Sequence, residues 1–168
     1  GGQARRVGIA RAHALNPSVL IADEPTSGLD VSVAAGILNL LKNLRERLGL
    51  TYILITHNLN IISFIADRVA VMYLGKLVEV GKTSTLFTEP QHPYTEALMS
   101  AVALPDPELR EKRKRIRLEG EIPSPRNPPS GCPFHPRCWM ATKECREAVP
   151  PLNAVSADHE VACIKVSC

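Results

Sequence analysis

Apolar positions along this chain follow two rhythms. Val19-Leu20-Ile21-Ala22 and Tyr52-Ile53-Leu54-Ile55 are short unbroken apolar runs, the pattern of parallel strands covered on both faces. Between them Val33, Ile37, Leu40, Leu41, Leu44 and Leu48 recur mostly at steps of three and four. That spacing predicts an amphipathic helix, with Asp30 as its N-cap and Gly49 at its end. A helix over 4–15 precedes the first strand and stops at Asn16-Pro17, because proline drives the residue before it out of helical backbone. Asn58 is placed to cap a short helix carrying Leu59 and Ile62. Strand, helix, strand, helix is the order of a crossover α/β sheet. Residues 69–74 and 77–80, on either side of Gly75-Lys76, predict a hairpin that finishes this sheet, and a helix over 94–102 closes the region.

Composition changes once along the chain. Of 14 prolines, 12 lie at or beyond Pro90, which divides the 168 residues into an α/β part over 1–104, a charged and Pro-rich linker over 105–131, and a Cys-rich extension over 132–168. The linker carries six basic residues between 110 and 117 with no aromatic residue among them; this reads as a solvated helix face rather than a lipid or nucleic-acid contact. A formal charge of +3 is too balanced to indicate nucleic acid as a partner. The longest apolar run, 69–74, is far short of the roughly 20 residues of a membrane helix, and nothing at the start resembles a secretion signal, so a soluble, non-exported chain is expected. It opens Gly1-Gly2-Gln3 without an initiator Met and is expected to be a fragment.

Both apolar strands end in residues able to do chemistry: Asp23-Glu24 after the first, Thr56-His57 after the second. Ligands of open α/β sheets sit at the carboxyl ends of strands, so the two pairs can share one site. Asp23 could hold a hard cation such as Mg²⁺, Glu24 could orient or deprotonate a water, and His57 could contact a phosphate in transfer. Taken singly, the acidic pair also reads as a helix cap and the histidine as an ordinary hydrogen-bonded one. Gly1-Gly2-Gln3 stands at a helix start, where free N–H groups suit an anion.

Gly1-Gly2-Gln3, Ala22-Asp23-Glu24-Pro25-Thr26-Ser27-Gly28-Leu29-Asp30 and Thr56-His57 together resemble the carboxyl-terminal half of an ABC-type ATPase: the signature motif, the Walker B strand, the D-loop and the switch histidine, in order. Further residues, 67–76, Gln91-His92-Pro93-Tyr94-Thr95 and Pro128-Pro129-Ser130-Gly131-Cys132, make the chain similar to the ATP-binding subunits of bacterial oligopeptide and dipeptide ABC importers over nearly its whole length. The resemblance implies a partial P-loop NTPase-like nucleotide-binding domain followed by the linker and extension. It implies ATP shared between two subunits. Gly1, Gly2 and Gln3 would hold the γ-phosphate of the partner's nucleotide, Asp23 would bind Mg²⁺, Glu24 would be the general base, Asp30 would link the two sites, and His57 would sense the γ-phosphate. A second ATP-binding subunit, transmembrane permease subunits and an external peptide-binding protein would be the partners, at the cytoplasmic face of the membrane.

Two departures from the family pattern stand out. Asn58 follows His57 where Asp is usual, and the only approach to a P-loop is Gly81-Lys82-Thr83, which Gly75 precedes one residue too far away. That segment reads as a hairpin exit, so ATP binding by this chain alone is not expected. Competing readings are a non-catalytic binding or assembly module built on the cysteines, and an ABC ATPase outside transport.

All five cysteines lie beyond residue 131. Cys132, Cys138, Cys145 and Cys163, with five, six and seventeen residues between neighbours, could hold a 4Fe-4S cluster or Zn²⁺, or remain free thiols. The spacing has no C-x₂-C pair, and the family resemblance implies the cluster. His135 and His159 could stand in for one thiol, and Cys168 has no evident partner.

Overall fold

The computed structural model describes residues 1–102 and 115–166. These form two compact units, Gly1–Ala66 and Asp67–Cys168.

The first unit contains α1 (Gly2–His13), β1 (Val19–Asp23), α2 (Val31–Leu48), β2 (Thr51–Ile55) and α3 (Leu59–Ile65). The two strands pair in parallel, Val19 opposite Thr51 through Asp23 opposite Ile55, and α2 makes the crossover. Asp30 caps α2 by accepting from Val33 N–H at 2.9 Å, and Gly49, at φ 65°, ends it. The spacing of apolar residues on α2 then does its work. Ile37, Leu38 and Leu41 meet Ile61 and Ile65 of α3 in one cluster, with Tyr52 and Leu54 from one sheet face packed against it. On the other face Ile21 is 66% and Ile53 50% exposed, so this sheet is covered on one side rather than two. Helix α1 ends at His13, earlier than Asn16-Pro17 requires, with Ala14 and Leu15 in a turn and Asn16 at φ 48°.

The second unit corrects the expectation for the hairpin. β3 (Arg68–Tyr73) and β4 (Lys76–Lys82) do pair antiparallel, with a bulge between Val71 and Met72. They do not finish the first sheet. β4 pairs instead with β6 (His159–Val161), and β6 with β5 (Asn153–Ser156), giving the order β3-β4-β6-β5. The hairpin and the Cys-rich segment thus share one sheet across about 80 residues of sequence. The reason is an available edge: β4 leaves one side free for ladder bonds, and the short β6 takes it, opposing Glu160 to Val80 and Val161 to Glu79. Gly81 and Lys82 end β4 and Thr83 begins α4 (Thr83–Thr88). The helix expected over 94–102 is α5 (Pro93–Ser100), with His92 as N-cap and proline in the first turn. Most of the basic run, 103–114, lies outside the described residues; 115–134 contains no helix or strand.

Candidate functional site

In the first unit the sheet brings Glu24, Thr56 and His57 together. Glu24 leaves β1 at φ 46°, and its N–H donates to Ile55 O at 2.8 Å, so parallel pairing continues one residue past the strand. Its carboxylate accepts from His57 Nδ1 at 2.6 Å, from His57 N–H at 3.1 Å and from Thr56 Oγ1 at 3.4 Å. A carboxylate only accepts, so the proton at this contact is carried by Nδ1 of His57. The His57 hydrogen bond holds the Glu24 carboxyl below its ordinary range, with partial burial opposing. Glu24 is therefore ionised at neutral pH, as a water-activating base must be.

The other expected residues are placed as follows. Asp23 is exposed at the end of β1, opposite Ile55. The Asp30 carboxylate serves the α2 cap, bonded to Val33 N–H and to Ser32 Oγ at 2.7 Å, and these bonds lower its pKa. Gly1 is the N-cap of α1, and Gln3 is exposed in its first turn. Gly2 has a packing role that the sequence did not reveal: a Cβ there would stand 2.6 Å from Val33 Cγ1, so glycine lets α1 approach α2. Among the described residues no hydrogen bond joins Gly1, Gly2 or Gln3 to Glu24 or His57. Asn58 caps α3 by accepting from Asn60 N–H at 3.1 Å, the role expected of Asp at that position.

In the second unit Cys132, Cys138, Cys145 and Cys163 line one small cavity of about 20 Å³, with His92 and Phe134 among the other walls. Each sulfur is approached by backbone N–H groups: Cys132 by Phe134 and His135, Cys138 by Met140, Cys145 by Thr142 at 3.5 Å, and Cys163 by Lys165 at 3.4 Å. Burial pushes the Cys132 and Cys138 thiols up, and neighbouring sulfurs add to this. Gly131, at φ 68°, permits the closure: a Cβ there would run into the Cys145 carbonyl, which accepts from Cys132 N–H at 2.8 Å. Among the described residues no three or more His, Cys, Asp or Glu side chains form a ready metal-holding group, so the expected metal centre is not preformed. His135 also lines the cavity, with Nδ1 donating to Cys132 O at 2.9 Å, whereas the His159 ring is engaged by Glu79.

Glu79 was missed. It is fully buried on β4 and accepts from Gln91 N–H at 2.8 Å, His92 N–H at 2.9 Å and His159 Nε2 at 2.7 Å. One carboxylate thereby joins β4, β6 and the start of α5. The signal was a lone acid inside an apolar run, which a buried position tolerates only with partners. His92 beside it is 1% exposed, and burial lowers its pKa to about 4, against the opposing pull of Glu79.

Comparison with known proteins adds the family. Residues 78–145 match the oligopeptide/dipeptide transporter C-terminal region. The dipeptide transport ATP-binding protein DppF of Haemophilus influenzae is 52% identical over 166 residues, covering 99% of this chain and 50% of the relative. Over nearly its whole length this chain is similar to peptide-transport ATP-binding proteins. It spans about half the length of the curated relatives it matches. Among solved structures, cbiO1 from Clostridium perfringens, part of the ABC transporter complex cbiONQ, aligns with TM-score 0.50 at 40% identity, over 52% of this chain and 35% of that one. The ADP conformation of the ATP-binding cassette MJ1267 aligns with TM-score 0.50 at 29% identity, over 56% and 39%. The neighbours are ABC ATPase domains, in keeping with the α/β reading of the sequence. Among the described residues no helix is long and apolar enough to cross a membrane.

Proposed function

We propose that this chain is the carboxyl-terminal part of an ATP-hydrolysing subunit that powers peptide import across a bacterial cytoplasmic membrane. The observation that carries the reading is the Glu24 carboxylate, ionised and held at the carboxyl end of a parallel sheet by Thr56 and His57. Phosphoryl transfer to water asks mostly for positioning and charge neutralisation. Glu24 takes the water proton, and His57, already bonded to it, exchanges that contact for one with the γ-phosphate. Asp23, exposed beside them, would hold Mg²⁺, which would neutralise phosphate charge. Gly1, Gly2 and Gln3 at the tip of α1 face a nucleotide held by a second ATP-binding subunit, and Asp30 adjoins that interface through the cap of α2. Transmembrane permease subunits and an external peptide-binding protein complete the importer, with this subunit peripheral at the cytoplasmic face. The test is peptide uptake by the complete transporter in vesicles. His57→Ala should abolish ATP-driven uptake, and uptake at the unmutated rate would remove the switch role.

The extension over 132–168, reached through the linker over 105–131, is read as the holder of a 4Fe-4S cluster. What supports the reading is that four thiols line one cavity, each approached by backbone N–H groups, although burial holds Cys132 and Cys138 as thiols until a metal displaces their protons. When bound, a cluster would supply a cross-link among the loops and a one-electron centre. Iron, sulfide and zinc analysis of anaerobically purified protein decides it; stoichiometric zinc would overturn the cluster.

A further inference from the structure

The backbone of Glu24 is pinned to β2 by its bond to Ile55 O at 2.8 Å, so the aim of its carboxylate depends on the donors around it. These are shared unevenly between the two oxygens. Oε1 accepts from both the ring and the backbone N–H of His57, at 2.6 and 3.1 Å, whereas Oε2 has Thr56 Oγ1 alone, at 3.4 Å. The Thr56 hydroxyl is itself oriented. It accepts from Asn58 N–H at 3.1 Å, at the cap of α3, and a carboxylate cannot donate, so its one proton is turned toward Glu24. The ring of His57 is the loose member of the set: its side chain is 85% exposed, against 34% for Glu24.

We infer that Thr56 is a positioning residue whose hydroxyl, braced by Asn58 N–H, holds the plane of the Glu24 carboxylate while the His57 ring is engaged elsewhere. This rests on the reading of Glu24 as the base and of His57 as the residue that leaves it for a phosphate. Once the ring has left, one donor remains on each oxygen, His57 N–H on Oε1 and Thr56 on Oε2. A planar carboxylate held at both oxygens keeps its aim at the water; held at Oε1 alone, it can turn about that contact. Departure of the ring also frees Oε2 to close the 3.4 Å gap, since hydrogen bonds in catalytic sites often tighten only in the reacting complex.

The experiment is steady-state ATP hydrolysis by the complete subunit with its partners, in Thr56→Val, Thr56→Ala and Thr56→Ser, each also combined with Glu24→Gln. Val and Ala remove the hydroxyl with and without the branched shape, so the result does not depend on the folding of one variant. Both should lower kcat about tenfold while KM for ATP changes less than about twofold, and Ser, which keeps the hydroxyl, should retain most of the rate. In the Glu24→Gln background the same substitutions should change the residual rate by less than about twofold, because the group they position no longer takes a proton. An unmutated kcat in the Val and Ala variants, or a Ser variant as slow as they are, would overturn the Thr56 assignment and leave Glu24 standing. An equal fall in both backgrounds would also overturn it, in favour of a general structural role. Hydrolysis by Glu24→Gln alone at the unmutated rate would overturn the base reading itself, and this inference with it.

Discussion

Glu79→Leu is the substitution whose consequence follows most directly from the structure. Three donors converge on this fully buried carboxylate: the N–H groups of Gln91 and His92, and Nε2 of His159. Leucine fills similar volume but accepts nothing, so all three donors lose this acceptor, two of them on the buried residues His92 and His159. Each orphaned donor costs roughly 1 to 3 kcal/mol, and leucine returns about 1 to 2 kcal/mol of apolar burial. The costs are not fully additive because His92 can shift once released, which leaves a net loss on the order of 3 to 6 kcal/mol. Against domain stabilities of roughly 5 to 15 kcal/mol, that removes a large share. Glu79→Gln retains one acceptor oxygen and should lose less, about 1 to 3 kcal/mol. Urea unfolding followed by fluorescence suits the case, because the chain has one tryptophan, Trp139, and it lies in the same unit. The midpoint should fall in the order unmutated, Gln, Leu, with the slope unchanged. A Leu variant as stable as the unmutated chain would refute the view that Glu79 ties β4, β6 and α5 together.

Gly131→Ala should destabilise the second unit by roughly 1 to 3 kcal/mol, since its backbone is left-handed and the Cys145 carbonyl occupies the space; the same unfolding assay reads it. Asp30→Ala removes the α2 cap and should cost about 1 kcal/mol, seen as a lower thermal midpoint by circular dichroism. In metal-free protein the His92 pKa is lowered from 6.5 to about 4. The unfolded chain thus takes up a proton in that window which the folded chain refuses. Stability should therefore fall as pH drops from about 6.5 to about 4, by about 3 kcal/mol in full. Urea titrations at pH 7 and 5 would show it, and His92→Asn should flatten this slope.

How much of this was legible beforehand depended on distance along the chain. Asp30, Gly49 and Asn58 act on backbone a few residues away, so their capping roles could be read locally. Glu24 and His57 could be paired because a crossover unit puts the ends of consecutive parallel strands side by side. The pairing of β4 with β6 could not: β6 has three residues, too few for a period, and its partner lies about 80 residues earlier. Glu79 was passed over because a single acid does not break the apolar rhythm of 77–80, and its partners Gln91, His92 and His159 are brought by that same unseen pairing and by α5. The cysteines were visible as residues, but their shared cavity depends on loops that only the folded second unit closes.

The central claim is that Glu24 receives the proton of the attacking water. Single-turnover release of γ-phosphate from Mg-ATP, measured on the complete subunit with its partners, tests it most directly. Glu24→Gln should bind ATP as the unmutated protein does, yet release phosphate roughly 10² to 10⁴ times more slowly, about 3 to 5 kcal/mol of barrier. Release by Glu24→Gln at the unmutated rate would contradict the claim.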